Sequence, residues 1–165
     1  MNKVLYLMMG VPGSGKSTFI QNHLLDKEVW VSRDQIRFSL LSEDDDYFSK
    51  EDKVLKLFIS TIDKMLSPKS PYAAVYADAT HLTKKGRRQL LSQLKNKPIF
   101  VNALFINTPL SVCLKRNAQR EGRAKVPAQT IRSMYSRIQK PTKEEGIHML
   151  TIFDENEEII SKEVL

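Results

Sequence analysis

The sequence predicts an α/β fold: a parallel five-stranded sheet with helices on both faces and a helical lid. Three observations lead there. Short apolar runs, most of them uncharged, alternate with helical stretches, the pattern of a parallel sheet covered on both sides. The first run, Val4-Leu5-Tyr6-Leu7-Met8-Met9, passes directly into Gly10-Val11-Pro12-Gly13-Ser14-Gly15-Lys16-Ser17. That octet fills every position of the phosphate-binding loop G-x-x-x-x-G-K-[ST] between a strand and a helix. Acidic residues then stand at the ends of two further strands, where an open α/β sheet keeps its ligand crevice. The fold is therefore expected to be of the P-loop NTPase type.

The strands are expected at 3–9, 29–32, 73–77, 99–106 and 149–153, with helices near 16–25, 34–41, 47–66, 83–95, 109–120 and 127–139. Thr83 is placed to cap the fourth helix, while Thr108-Pro109 and Val126-Pro127 open the fifth and sixth. Ser67-Pro68-Lys69-Ser70-Pro71 reads as a stop and turn rather than a linker. Residues 1–165 are thus expected to form one domain, with a lid region near 115–127.

Length and charge bound the function. The 165 residues suffice for a real core, and the single cysteine, Cys113, excludes an internal disulfide framework. With no apolar run near the length of a membrane span, a cytoplasmic protein with no membrane partner is expected. The net charge of +7 is uneven. Residues 83–140 hold 14 Lys and Arg against Glu121 alone, whereas 141–165 hold 2 basic and 7 acidic residues. Such a basic segment attracts a polyanion, and a nucleotide's own phosphates need basic ligands too.

The loop's chemistry follows from its residue types. Gly10, Gly13 and Gly15, with Ser14 among them, let backbone N–H groups form an anion nest at a helix start. Lys16 is expected to reach the β- and γ-phosphates of ATP, Ser17 to ligate Mg²⁺, and Thr18 to bond the α-phosphate. Asp34, after the second strand, can take the proton of an attacking hydroxyl, or it can serve as a helix N-cap. Arg37, one turn on, can hold an anionic part of the acceptor. Asp78, ending the third strand, suits either a water held on Mg²⁺ or a contact to the acceptor, and Thr80 can orient the turn after it. Arg116 and Arg120, spaced i,i+4, are expected to share a helix face in a basic lid that neutralises charge during phosphoryl transfer. Asp78 has no acidic successor, which argues against a motor ATPase, and the Asn-Lys-x-Asp motif of GTP switches is missing.

Four blocks carry a family resemblance: Gly10–Thr18, Ser32-Arg33-Asp34-Gln35-Ile36-Arg37, Asp78-Ala79-Thr80 leading to Arg87-Arg88, and Lys115-Arg116-Asn117 with Arg120. The last block continues to Met134-Tyr135. Over residues 3–140 the chain resembles the P-loop polynucleotide 5′-kinases, most of all the kinase domain of the bacteriophage 5′-kinase/3′-phosphatase. The resemblance implies ATP and Mg²⁺ on Lys16 and Ser17, and Asp34 as the base for a 5′-hydroxyl of DNA or RNA. It also implies Arg37 on the acceptor's neighbouring phosphate, Asp78, Thr80 and Arg88 on the acceptor side, and Arg120 with Arg116 over the ATP phosphates. A phage-encoded chain would then act in the host cytoplasm. No Asp-x-Asp-Gly-Thr phosphatase motif occurs, so no phosphatase domain is expected and a separate phosphatase or ligase would complete end repair. Two other readings stand beside this one: a P-loop kinase of a small metabolite or nucleoside, and an ATP-binding interaction module without transferase activity.

Overall fold

The computed structural model describes residues 2–165. Its elements are β1 (Val4–Met9), α1 (Lys16–His23), β2 (Glu28–Ser32), α2 (Arg33–Leu40), α3 (Glu51–Leu66), β3 (Ala74–Asp78), α4 (Lys84–Gln93), β4 (Phe100–Ile106), α5 (Leu110–Ala118), α6 (Ala128–Ser136), β5 (Met149–Phe153) and β6 (Ile159–Val164), with short 3₁₀ turns at Gly122–Ala124 and Lys143–Glu145.

The sheet has six strands in the order β2-β3-β1-β4-β5-β6. The first five run parallel, and β6 pairs antiparallel with β5, so the expected five-stranded parallel sheet is corrected to a mixed one. Ile159–Val164 is exposed at every position, and its residues show no apolar alternation to betray a strand. The acidic cluster before it forms the hairpin turn: Asp154 Oδ1 accepts from the N–H groups of Asn156 and Glu158, both at 2.9 Å.

Alternation along β1 divides the core. Leu5, Leu7 and Met9 join Phe58, Ile59 and Ile62 of α3 and Leu90 of α4 on one face. Met8 meets Phe19 and Ile20 of α1 on the other. A third cluster, Val11, Leu82, Cys113 and Ile131, packs α5 and α6 beside the glycine-rich loop. Because β1 to β3 are parallel, their carboxyl ends all deliver polar residues to one edge of the sheet.

Two helix boundaries bear on the site. Helix α3 begins at Glu51 rather than near 47, which leaves Tyr47 and Phe48 in the loop before it. Helix α5 ends at Ala118, so Arg120 lies beyond it instead of on a shared face with Arg116. Thr83 caps α4 as expected, its Oγ1 accepting from Gly86 N at 3.1 Å.

Candidate active site

The loop after β1 is held in shape from three sides. Gly10 N donates to the Thr80 carbonyl at 3.1 Å, and the Thr108 hydroxyl donates to the Ser14 carbonyl at 2.6 Å. Arg116 Nη1 donates to that same Ser14 oxygen at 3.2 Å and to the Gly13 carbonyl at 3.4 Å. Two glycines are required by geometry. At Gly10 (φ 151°) a Cβ would stand 2.5 Å from Ser14 Oγ, and at Gly13 (φ 83°) one would stand 2.6 Å from the Cys113 carbonyl oxygen. The Lys16 ammonium donates to the carbonyls of Gly10 at 2.9 Å and Val11 at 3.2 Å. Desolvation under the loop lowers its pKa, opposed by the nearby Asp78 and Asp34 carboxylates.

A cleft of about 600 Å³ opens on this loop. Gly13, Gly15, Lys16, Ser17 and Thr18 line one end; Asp34, Arg37, Asp78 and Thr80 line the floor and the far wall; Arg120, Arg123 and Lys125 come from the lid. The first N–H groups of α1 lack intrahelical partners and add their dipole to this end, so the cleft is suited to phosphate. Ser17 Oγ donates to Asp78 Oδ2 at 3.1 Å, and the Trp30 indole donates to the same oxygen at 3.0 Å. Trp30 thus orients Asp78. Burial raises the Asp78 pKa, with Lys16 pulling it back down. A hydroxyl beside a carboxylate at the start of α1 is a hard-oxygen pair that fits Mg²⁺, with room for waters.

The acceptor side departs from expectation in its wiring. The N-cap of α2 is Ser32, whose Oγ accepts from Gln35 N at 3.2 Å, so Asp34 is not the cap. The Asp34 side chain is 61% exposed and open to a ligand. Arg37, expected to reach outward to an anionic acceptor, is instead buried with all three guanidinium nitrogens hydrogen-bonded to protein groups. Nε bonds Glu51 Oε2 at 3.2 Å, Nη2 spans both Glu51 oxygens at 2.9 Å, and Nη1 bonds Asp34 Oδ1 and the Tyr47 hydroxyl. Glu51 also accepts from Arg33. This arginine is a strut that fixes Asp34, its guanidinium committed to Asp34, Tyr47 and Glu51. Tyr47 and Glu51 escaped the sequence reading because their partners lie 10 to 18 residues away and meet only when α2 packs on α3.

The segment expected as a lid is built around Asn117. Its Nδ2 donates to the Val126 carbonyl at 2.6 Å while its Oδ1 accepts from Val126 N at 2.9 Å, closing the 118–125 segment into a loop. That loop carries Arg120 into the cleft, whereas Arg116 braces the phosphate loop from behind. Arg123 Nη2 reaches across to the Ser42 carbonyl at 2.6 Å. Arg88 belongs elsewhere. Because α4 buries Arg87 and Leu90 inward, position 88 lies on a separate hollow with Lys85, Lys97 and His148, near the amino ends of β4 and β5. Its expected place on the acceptor side is not met.

A glycine-rich loop at the end of the central strand, a lysine beneath it and a basic lid above it define a P-loop NTPase-type α/β domain. The chain belongs to the AAA domain family, which it matches over residues 5–141. No curated protein matches it. Among solved structures it is similar to an unliganded sugar kinase from Janibacter sp. HTCC2649, with 18% identity over 94% of this chain and 87% of that one and a TM-score of 0.62. It is also similar to a chain of the Pnkp1/Rnl/Hen1 RNA repair complex, with 19% identity over 82% of this chain and a TM-score of 0.66. Of that protein the chain spans only 44%. A fungal RNA kinase matches with 13% identity over 92% of this chain and 73% of its own, at a TM-score of 0.64. At such identities the likeness is one of fold. The kinship is to kinase-like P-loop folds at large and not to the one phage domain the motifs resemble. No helix among the described residues is long and apolar enough to cross a membrane.

Proposed function

We propose that the protein transfers the γ-phosphoryl group of ATP to the 5′-hydroxyl end of a DNA or RNA strand. What carries this reading is the Asp34 carboxylate, exposed in the same cleft as Lys16 and Arg120 and held through Oδ1 alone by Arg37 and Tyr47. Its other oxygen, Oδ2, is then the proton acceptor. As the hydroxyl oxygen attacks the γ-phosphorus, its proton passes to Oδ2, and the bond from phosphorus to the bridging oxygen breaks to release ADP.

The glycine-rich loop and Lys16 hold the triphosphate, and Ser17 with Asp78 would hold Mg²⁺, which supplies charge neutralisation on the phosphates when bound. Arg120, carried on the lid, meets charge developing on the transferred group and helps exclude water. The absence of a second acid after Asp78 favours a hydroxyl acceptor over water: Ala79 stands there on the cleft wall. The basic lid and the fold shared with a fungal RNA kinase and a chain of an RNA repair complex favour a nucleic acid acceptor.

An acceptor panel with labelled ATP tests the proposal: 5′-hydroxyl DNA and RNA oligonucleotides, nucleosides and simple sugars. Transfer to the oligonucleotides, lost in Asp34→Asn, is expected. Transfer confined to sugars or nucleosides, or to nothing while ATP still binds, overturns it.

A further inference from the structure

Two aromatic side chains in the cleft have no part in the chemistry above. Phe38 is 40% exposed and Phe48 is 57% exposed, and both line the cleft that holds Asp34. Neither belongs to any of the three core clusters. Phe38 sits one turn beyond Asp34 on α2, at i+4, and Phe48 sits in the loop between α2 and α3. Tyr47 joins them, its ring centroid 6.1 Å from Phe38 and 4.6 Å from Phe48, edge-on to both. Tyr47 itself is occupied, with the Arg37 guanidinium 4.3 Å over its ring and its hydroxyl bonded to Asp34. The two phenyl rings have no polar group to satisfy; Phe48 rests on the Tyr47 ring with the Arg37 guanidinium 5.7 Å from its centroid, and more than half of its surface remains exposed.

Resting on the function proposed above, we infer that Phe38 and Phe48 form the seat for the 5′-terminal nucleobase of an unpaired acceptor strand. Val126 and Pro127 of the lid and Met134 of α6 line the same cleft, so a flat ring entering there meets apolar surface on that side as well. Arg123 and Lys125 line it too and offer cations to the strand's phosphates. The Arg123 bond to Ser42 ties the lid to the loop that carries Phe48, so both belong to one continuous enclosure. Apolar π surface next to the base Asp34, edged by cations, is complementary to a nucleoside followed by a phosphodiester. A sugar would find few hydrogen-bond partners on these rings. Stacking of this kind tolerates every base, which fits a kinase of strand ends without sequence preference.

Two single-stranded 5′-hydroxyl oligonucleotides that differ only in having a normal or an abasic 5′ residue provide the test. Wild-type protein is expected to show KM for the abasic acceptor raised on the order of 10-fold, with kcat little changed, as for the loss of one stacked base. In Phe38→Leu/Phe48→Leu the ratio between the two acceptors is expected to fall to near one. Equal use of both by the wild type, or an unchanged ratio in the variant, overturns the seat. A second measurement needs no variant: 2-aminopurine at the 5′ end should be quenched when the wild type binds the strand, and unquenched binding overturns the seat as well. Wild-type protein that phosphorylates neither oligonucleotide refutes the kinase reading and the seat with it. Phosphorylation of both alike refutes the seat alone.

Discussion

The Tyr47 hydroxyl donates to Asp34 Oδ1 at 2.7 Å, the same oxygen that accepts from Arg37, and Oδ2 has no protein partner among the described residues. One oxygen is anchored and the other is presented. The anchor is itself braced, since Arg37 Nη1 donates to the Tyr47 oxygen at 2.9 Å. Tyr47→Phe removes one anchoring bond and leaves the carboxylate in place. We expect kcat to fall about 5-fold, the worth of one hydrogen bond of ~1 kcal/mol, with KM for ATP unchanged. Asp34→Asn should cost on the order of 10²–10⁴ in kcat. Steady-state kinetics on both variants check the pair, and a Tyr47→Phe effect confined to KM for ATP would refute the anchoring role.

In the proposed reaction Lys16 and Ser17 act on the donor. Lys16→Ala removes the cation under the loop, and kcat should fall about 10²–10³-fold, the scale of losing one electrostatic stabiliser of the transition state. Ser17→Ala should raise the Mg²⁺ concentration needed for half-maximal rate, because one of two hard-oxygen groups is gone. A metal titration of the rate at saturating ATP is the measurement, and an unshifted midpoint would count against Ser17.

Arg87 and Glu145 form a fully buried ion pair, Nε to Oε1 at 2.6 Å, and Arg87 Nη1 also donates to the His81 carbonyl at 2.8 Å. Arg87→Met leaves a buried carboxylate without its countercharge. Stability should drop by about 3–5 kcal/mol, whereas Arg87→Met/Glu145→Leu should recover much of it. Urea denaturation of the three proteins decides, and a loss below about 1 kcal/mol in the single variant would contradict the pairing.

His81 is buried beside that pair, its Nδ1 2.7 Å from the Met8 carbonyl oxygen, which requires the proton on Nδ1. Burial pushes its pKa down from 6.5 to about 4. The unfolded chain therefore takes up a proton between pH 6.5 and 4 that the folded protein refuses. Stability from this group is whole above pH 6.5 and falls as pH drops toward 4, by up to about 3 kcal/mol. In His81→Gln that part of the pH dependence should vanish. Denaturant midpoints at pH 7.5 and 4.5 for both proteins measure it, and parallel losses would exclude His81 as the source.

Much of the donor site was legible in order along the chain. Gly10–Thr18 could be read because the phosphate loop is contiguous and its glycine spacing answers to close contacts such as Gly13 against Cys113. The strands expected at 3–9, 29–32, 73–77, 99–106 and 149–153 were legible within a residue of their observed bounds for the same reason, local periodicity. β6 was not: it is an exposed edge strand, held by β5 on one side, whose residues face solvent on both faces. Arg116 and Arg120 were paired by helical spacing, and the helix stops between them. Their spacing held no sign that Asn117 would turn the chain back on itself.

The sequence by itself determined a phosphate loop, its fold class and the two carboxylates, one just after the second strand and one ending the third, because each depends on neighbours within a few residues. Only the tertiary structure decided how Asp34 is held and what Arg37 does. The guanidinium of Arg37 finds Asp34 at three residues' distance but Tyr47 at ten and Glu51 at fourteen. No local rule brings those groups together. They meet because α2 and α3 pack side by side, and once buried there a guanidinium must satisfy every donor from inside the protein.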